Sequence, residues 1–118
     1  MVAMVAMTVA ILTAGQQQAP AGLISYDQAV RCAGLTQAAS ELEGGESAEG
    51  RALYDAALYW SLAAMQAATA ANRSVTVGEA DQTRARITAV RQLGAAGPAR
   101  AEARAALQRC RQRTPNLG

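Results

Sequence analysis

The chain has two cysteines, Cys32 and Cys110, which are 78 positions apart. A disulfide between them would bring the first and last parts of the domain together, because bridged Cα atoms lie within about 7 Å of each other. The close Cys-x-x-Cys spacing of redox pairs is absent. A zinc site needs about four ligands, and the chain has no His to add to the two sulfurs. The pair therefore predicts a structural disulfide and no metal site.

Residues 1–14 form an almost purely apolar run, which is followed by the small and polar stretch GQQQAPAG. Because about 20 apolar residues are needed to span a bilayer, the run is typical of a secretory signal peptide rather than of a transmembrane helix. It departs from the usual signal pattern in that no Lys or Arg precedes it. We expect cleavage after Ala21, or alternatively after Gly15, and no stable membrane insertion afterwards. Export to the periplasm or out of the cell would favour disulfide formation.

Removal of residues 1–21 would leave residues 22–118, which is a suitable length for one domain. Alanine supplies 30 of the 118 residues, Phe is absent, and all 11 basic residues are Arg, a composition typical of GC-rich bacterial genomes. Alanine favours helices but buries little apolar area. The core is therefore expected to be thin, and a disulfide would contribute about 4 kcal/mol to its stability.

The domain is predicted to be all-α, since no segment shows the sustained alternation of a strand. Ser25 with Gln28, and Thr76 with Glu79, have the spacing of capping boxes. Pro98 is suited to the first position of a helix. These signals and the glycine-containing turns predict a small four-helix bundle, with helices at about 25–43, 48–71, 77–93 and 98–113.

Apolar residues recur at helical spacing in each segment, and both cysteines fall on apolar faces. The third helix is predicted to face inward through Ala80, Thr83, Ile87 and Val90. The second helix has an apolar stripe of Leu53, Ala57, Trp60 and Ala64, and another of Tyr54, Leu58, Leu62 and Met65. A helix that is apolar on two faces is usually surrounded by neighbours, so we expect the second helix to be central.

Charge is unevenly distributed along the chain. Six acidic residues and two Arg lie between positions 27 and 55, whereas nine Arg and three acidic residues lie between positions 73 and 113. Arg100, Arg104 and Arg111 share one stripe of the last helix. This stripe is either a face for an anionic partner, such as lipid head groups, cell-wall polymer or an acidic protein, or a solvated face that complements the helix dipole. Nucleic acid is not expected, because too few aromatic residues are present to stack bases.

The aromatic residues Tyr54, Tyr59 and Trp60 lie within seven positions. They either provide bulk to an alanine-rich core or line a small pocket, with Tyr54 and Trp60 as the candidate lining.

Four glutamates surround the Gly44–Gly45 turn: Glu41, Glu43, Glu46 and Glu49. Their order does not match a calcium loop, so a solvated acidic loop is the better interpretation. Without His, Lys or a reactive Cys, the chain lacks the usual general bases and nucleophiles. We therefore expect no enzymatic activity and no cofactor.

The sequence favours a small exported protein of non-enzymatic type that binds another protein in the periplasm or cell envelope. Such a protein is expected to be either a monomer or a homodimer. Two alternatives stay open. One is an envelope stress or chaperone-like protein that exposes the segment from Tyr54 to Met65. The other is a carrier of a small ligand or lipid with a pocket near Trp60.

Overall fold

The computed structural model describes residues 24–116, and within this range the chain is all-helical. The four helices are α1 (Tyr26–Glu43), α2 (Ala48–Ala70), α3 (Val75–Gly94) and α4 (Pro98–Arg113). The predicted all-α bundle of four helices is thus confirmed. The predicted signal segment, residues 1–21, lies outside the described residues.

The helix starts are set by local capping. The Ser25 hydroxyl accepts a hydrogen bond from the Gln28 amide at 3.1 Å, as the capping signal predicts. The predicted start of α3 is wrong, because Ser74 rather than Thr76 is the cap: its hydroxyl accepts from the Val77 amide at 3.1 Å. Asn72, with φ of 59°, turns the chain after α2 and leaves Ser74 in the extended conformation that a cap needs.

The central helix is α1, which has the most extensive packing with the other helices; α3 also reaches all three of its neighbours, but less extensively. The prediction that α2 is central is wrong, since Tyr54, Leu58 and Leu62 are 56%, 54% and 62% exposed. Small side chains explain the difference. The buried surface of α1 consists largely of alanine together with Cys32 and Gly34, so neighbouring helices can approach it closely from several sides.

Helices α1 and α3 approach each other closely at Gly34. A Cβ atom added to Gly34 would lie 2.5 Å from the backbone carbonyl carbon of Ala85, so only glycine fits there. On α3 the buried residues are Gly78, Gln82 and Ala89. The predicted inward face is therefore wrong: Ala80, Thr83 and Ile87 are exposed, and Val90 is half-buried. Close packing against the neighbouring helices places Gly78 and Ala89 on the buried face of α3. Gln82 is also buried there, and its side-chain amide donates to the Met65 sulfur at 3.1 Å.

The predicted disulfide is confirmed and joins α1 to α4. Cys32 and Cys110 are almost fully buried, and their Cα atoms are 5.6 Å apart. Beside the bridge, the fully buried Trp60 donates a hydrogen bond from Nε1 to the Thr114 hydroxyl at 2.8 Å. The same hydroxyl donates to the Cys110 carbonyl oxygen at 2.9 Å. These contacts fix the end of α4 against the core.

Candidate functional site

All four helices contribute to one open groove of about 560 Å³. The C-terminal residues of α1 and α3, the N-terminal residues of α2 and one face of α4 form its walls. We call it the arginine groove. It is lined by Ala39, Leu42, Glu43, Glu49, Leu53, Leu93, Gly94, Arg100, Arg104, Leu107, Gln108 and Arg111.

The apolar part of the arginine groove consists of one leucine from each helix. Leu53 is buried, Leu93 and Leu107 are half-buried, and Leu42 is 56% exposed. Leu42 and Leu93 lie near the C-terminal ends of α1 and α3. An apolar group placed here would be removed from water by all four helices at once.

The three arginines of the predicted cationic stripe are brought together on the α4 wall of this groove. Arg100 donates from Nε to the Ala95 carbonyl oxygen at 2.6 Å, which holds its side chain near the end of α3. Arg111 makes two hydrogen bonds to Glu49, with N–O distances of 2.5 and 3.2 Å. Within residues 24–116, Arg104 has no hydrogen-bond or ion-pair partner.

The charges in the groove do not cancel. The hydrogen bond from Arg111 lowers the pKa of Glu49, so this carboxylate is ionised at neutral pH and its charge is balanced by Arg111. Glu43 lies on the opposite wall and accepts a bond from the Ser47 hydroxyl at 3.4 Å. The α4 wall therefore retains the positive charge of Arg100 and Arg104. The groove can hold an apolar group on its leucines while Arg104 binds a carboxylate through its forked N–H donors.

A second exposed surface lies on α2. Its members, Tyr54, Leu58 and Leu62, are spaced four residues apart and form what we call the α2 stripe. The structure does not bring the predicted pocket residues Tyr54 and Trp60 together. Trp60 is fully enclosed and meets the Tyr59 ring edge-on at 5.2 Å, whereas Tyr54 faces outward.

The glutamates near the Gly44–Gly45 turn have separate partners. Glu41 accepts a hydrogen bond from Arg86 of α3 at 3.2 Å, and Glu49 is paired with Arg111. Across the described part of the chain, no three potential metal ligands come together. Nor does any described helix combine the length and the hydropathy that crossing a bilayer requires.

A polar contact that the sequence pattern did not indicate joins the starts of α1 and α3. The Tyr26 hydroxyl donates to Asp81 at 2.6 Å, and the Arg73 guanidinium lies 4.5 Å from the centre of the Tyr26 ring. Burial and the bond to Asp81 raise the pKa of Tyr26, and the same bond lowers the pKa of Asp81. Since each group is already paired, we interpret this contact as structural.

Comparison of the chain with protein-family models, with curated proteins and with solved structures finds no match. The functional assignment therefore depends on the geometry of the arginine groove and of the α2 stripe.

Proposed function

We propose that this chain is an exported, non-enzymatic protein-binding module of the bacterial cell envelope, and that its partner docks in the arginine groove. The observation that carries the proposal is the assembly of one leucine from each helix beside Arg104, which has no ion-pair partner among residues 24–116. The groove is built on a scaffold that the Cys32–Cys110 bond closes. A binding site on such a scaffold loses little conformational freedom when it is occupied.

Export is supported by two features of the chain. The apolar run at residues 1–14 has the length of a signal peptide's hydrophobic region. Structural disulfides form and persist mainly in oxidising compartments such as the periplasm. A non-enzymatic role is supported by the composition, because the chain has no His or Lys and both of its cysteines are joined in the disulfide.

The partner segment that fits is an acidic amphipathic helix. Such a helix presents apolar residues on one face, and acidic residues three or four positions away lie beside them. Its apolar face would cover the leucines of the groove, and a carboxylate at its edge would meet Arg104. Burial of one leucine-sized side chain contributes about 1.5–3 kcal/mol. Two or three such side chains together with one charge-assisted hydrogen bond would give a specific but reversible complex.

Site-specific photo-crosslinking in the producing cells tests this proposal. A photoreactive amino acid at Gln108, an exposed residue of the groove, should crosslink to a partner, and one at Thr88, an exposed residue of α3 outside the groove, should not. Arg104→Glu should abolish the crosslink by repelling the partner's carboxylate. Arg109→Glu makes the same charge change on the same helix but outside the groove, and should preserve it.

Mass spectrometry of the crosslinked peptide then identifies the segment bound. An acidic, amphipathic segment is expected. Equal loss of the crosslink in the Arg104→Glu and Arg109→Glu variants would refute docking in the groove, and so would a crosslinked segment without acidic residues. A crosslink to lipid alone would replace the protein partner with an anionic amphiphile.

A further inference from the structure

The α2 stripe has no partner among the described helices. On its other sides α2 packs against α1 and α3, while Tyr54, Leu58 and Leu62 each leave more than half of their surface in water. The stripe and the arginine groove have no residue in common. The α2 stripe therefore needs an explanation of its own.

The pattern of the stripe is self-complementary. Tyr54 and Leu62 lie four residues before and four residues after Leu58. In an antiparallel pair of α2 helices related by a two-fold axis at Leu58, this residue would meet its own copy, and Tyr54 would meet the partner's Leu62. We propose that a second copy of this chain covers the α2 stripe in this arrangement. Two-fold contacts of this kind use the same patch on both subunits.

Charges beside the stripe favour the antiparallel orientation. Arg51 and Asp55 lie beside its N-terminal half, whereas Gln66 and Thr69 beside its C-terminal half are uncharged. An antiparallel pair places the charged half of each helix against the neutral half of the other. A parallel pair would instead bring Arg51 close to its copy and Asp55 close to its copy, and like charges at short range repel. The dipoles of the two α2 helices also point in opposite directions in the antiparallel pair, so they attract each other.

The size of the stripe indicates a weak dimer. Stable protein interfaces bury about 800 Å² on each partner. Three half-exposed side chains and their neighbours on one 23-residue helix provide less than that. Dimers should therefore form at micromolar to millimolar concentrations of protein and separate on dilution.

Sedimentation velocity of the oxidised protein, purified from its producing cells, measures this equilibrium over a range of concentrations. The expected result is a shift from monomer to dimer as concentration rises. Leu58→Asp should weaken the dimer about 100-fold or more, because each dimer would contain two buried carboxylates in place of two leucines. Ile87→Asp is the matched control: Ile87 is 39% exposed on α3, away from the stripe, and its replacement should leave dimerisation unchanged.

Orientation is tested by charge pairing across the axis. Tyr54→Lys and Leu62→Glu should each weaken the dimer, and the double variant should recover at least part of the loss. These positions are too far apart to interact within one helix, since eight residues span about 12 Å. Failure of the double variant to recover would overturn the antiparallel pairing.

Two further outcomes would overturn the proposal as a whole. One is a wild-type protein that stays monomeric at millimolar concentration, and the other is a Leu58→Asp variant that dimerises like the wild type. If the monomer instead prevents aggregation of an unfolded test protein and Leu58→Asp abolishes this effect, the stripe binds apolar segments of other proteins. Neither result depends on whether a partner occupies the arginine groove.

Discussion

Replacement of both cysteines by alanine should remove a large part of the stability of this fold. The bond closes a loop of 78 positions. The chain-entropy model assigns about 4.5 kcal/mol to a loop of this length. The two sulfur atoms are also buried, so the alanines leave small gaps that add about 1–2 kcal/mol. Typical domains are stable by about 5–15 kcal/mol in total, and this one has an unusually small-residue core.

Denaturant unfolding followed through Trp60 measures this loss directly, because Trp60 is the only tryptophan and is fully buried. Wild-type protein should be compared with and without reductant, and the Cys32→Ala/Cys110→Ala variant under the same two conditions. The difference between oxidised and reduced wild type gives the contribution of loop closure. The difference between reduced wild type and the double variant gives the contribution of sulfur packing.

Reductant should lower the free energy of unfolding of the wild type by about 4–5 kcal/mol and should not affect the double variant. A decrease of less than about 1 kcal/mol in the wild type would refute the reasoning. It would mean either that the alanine-rich helices hold together without the bond, or that the unfolded chain is already compact.

Two further substitutions test the local packing and the helix start. Gly34→Ala should destabilise the protein by about 2 kcal/mol or more, because its new methyl group would overlap the α3 backbone, and the same unfolding assay measures the loss. Ser74→Ala should cost about 1 kcal/mol through loss of the α3 cap, whereas Thr76→Ala should change stability by less than half of that. Equal effects of the two cap substitutions would show that Ser74 does not initiate α3.

The features that sequence reasoning predicted correctly are local ones. Ser25 is identified as a cap because its hydroxyl lies three residues before Gln28, whose amide has no partner within the helix. Helical spacing places Cys32 and Cys110 on inward faces. Apart from the Ser74 cap of α3, the features it missed depend on distances between helices. Gly34 becomes important only when α1 approaches α3, and Gly78 only when α3 approaches α2, and no pattern within one helix indicates these approaches. The apolar faces of α2 therefore led to the wrong prediction that α2, and not α1, is the central helix.

The candidate site divides in the same way. The cationic stripe of Arg100, Arg104 and Arg111 could be predicted, because its members lie on one helix. The leucines beside it could not, because each comes from a different helix and only the packed fold brings them together. Closeness in sequence offers a pocket at Tyr54 and Trp60 as one interpretation, the other being added bulk in the core. In the fold, Trp60 is buried in the core whereas Tyr54 faces outward, so the two residues do not line a common pocket.

The arginine groove is proposed to hold an acidic, apolar segment of a partner protein. Calorimetric titration of the partner segment identified by crosslinking, against wild type, Arg104→Glu and Arg109→Glu, tests it most directly. We predict that Arg104→Glu weakens binding by about 10- to 100-fold, as expected for a charged residue at the centre of a contact. Arg109→Glu, which lies outside the groove, should stay within about threefold of the wild type. Equal affinities of the two variants for the segment would show that Arg104 does not contact it.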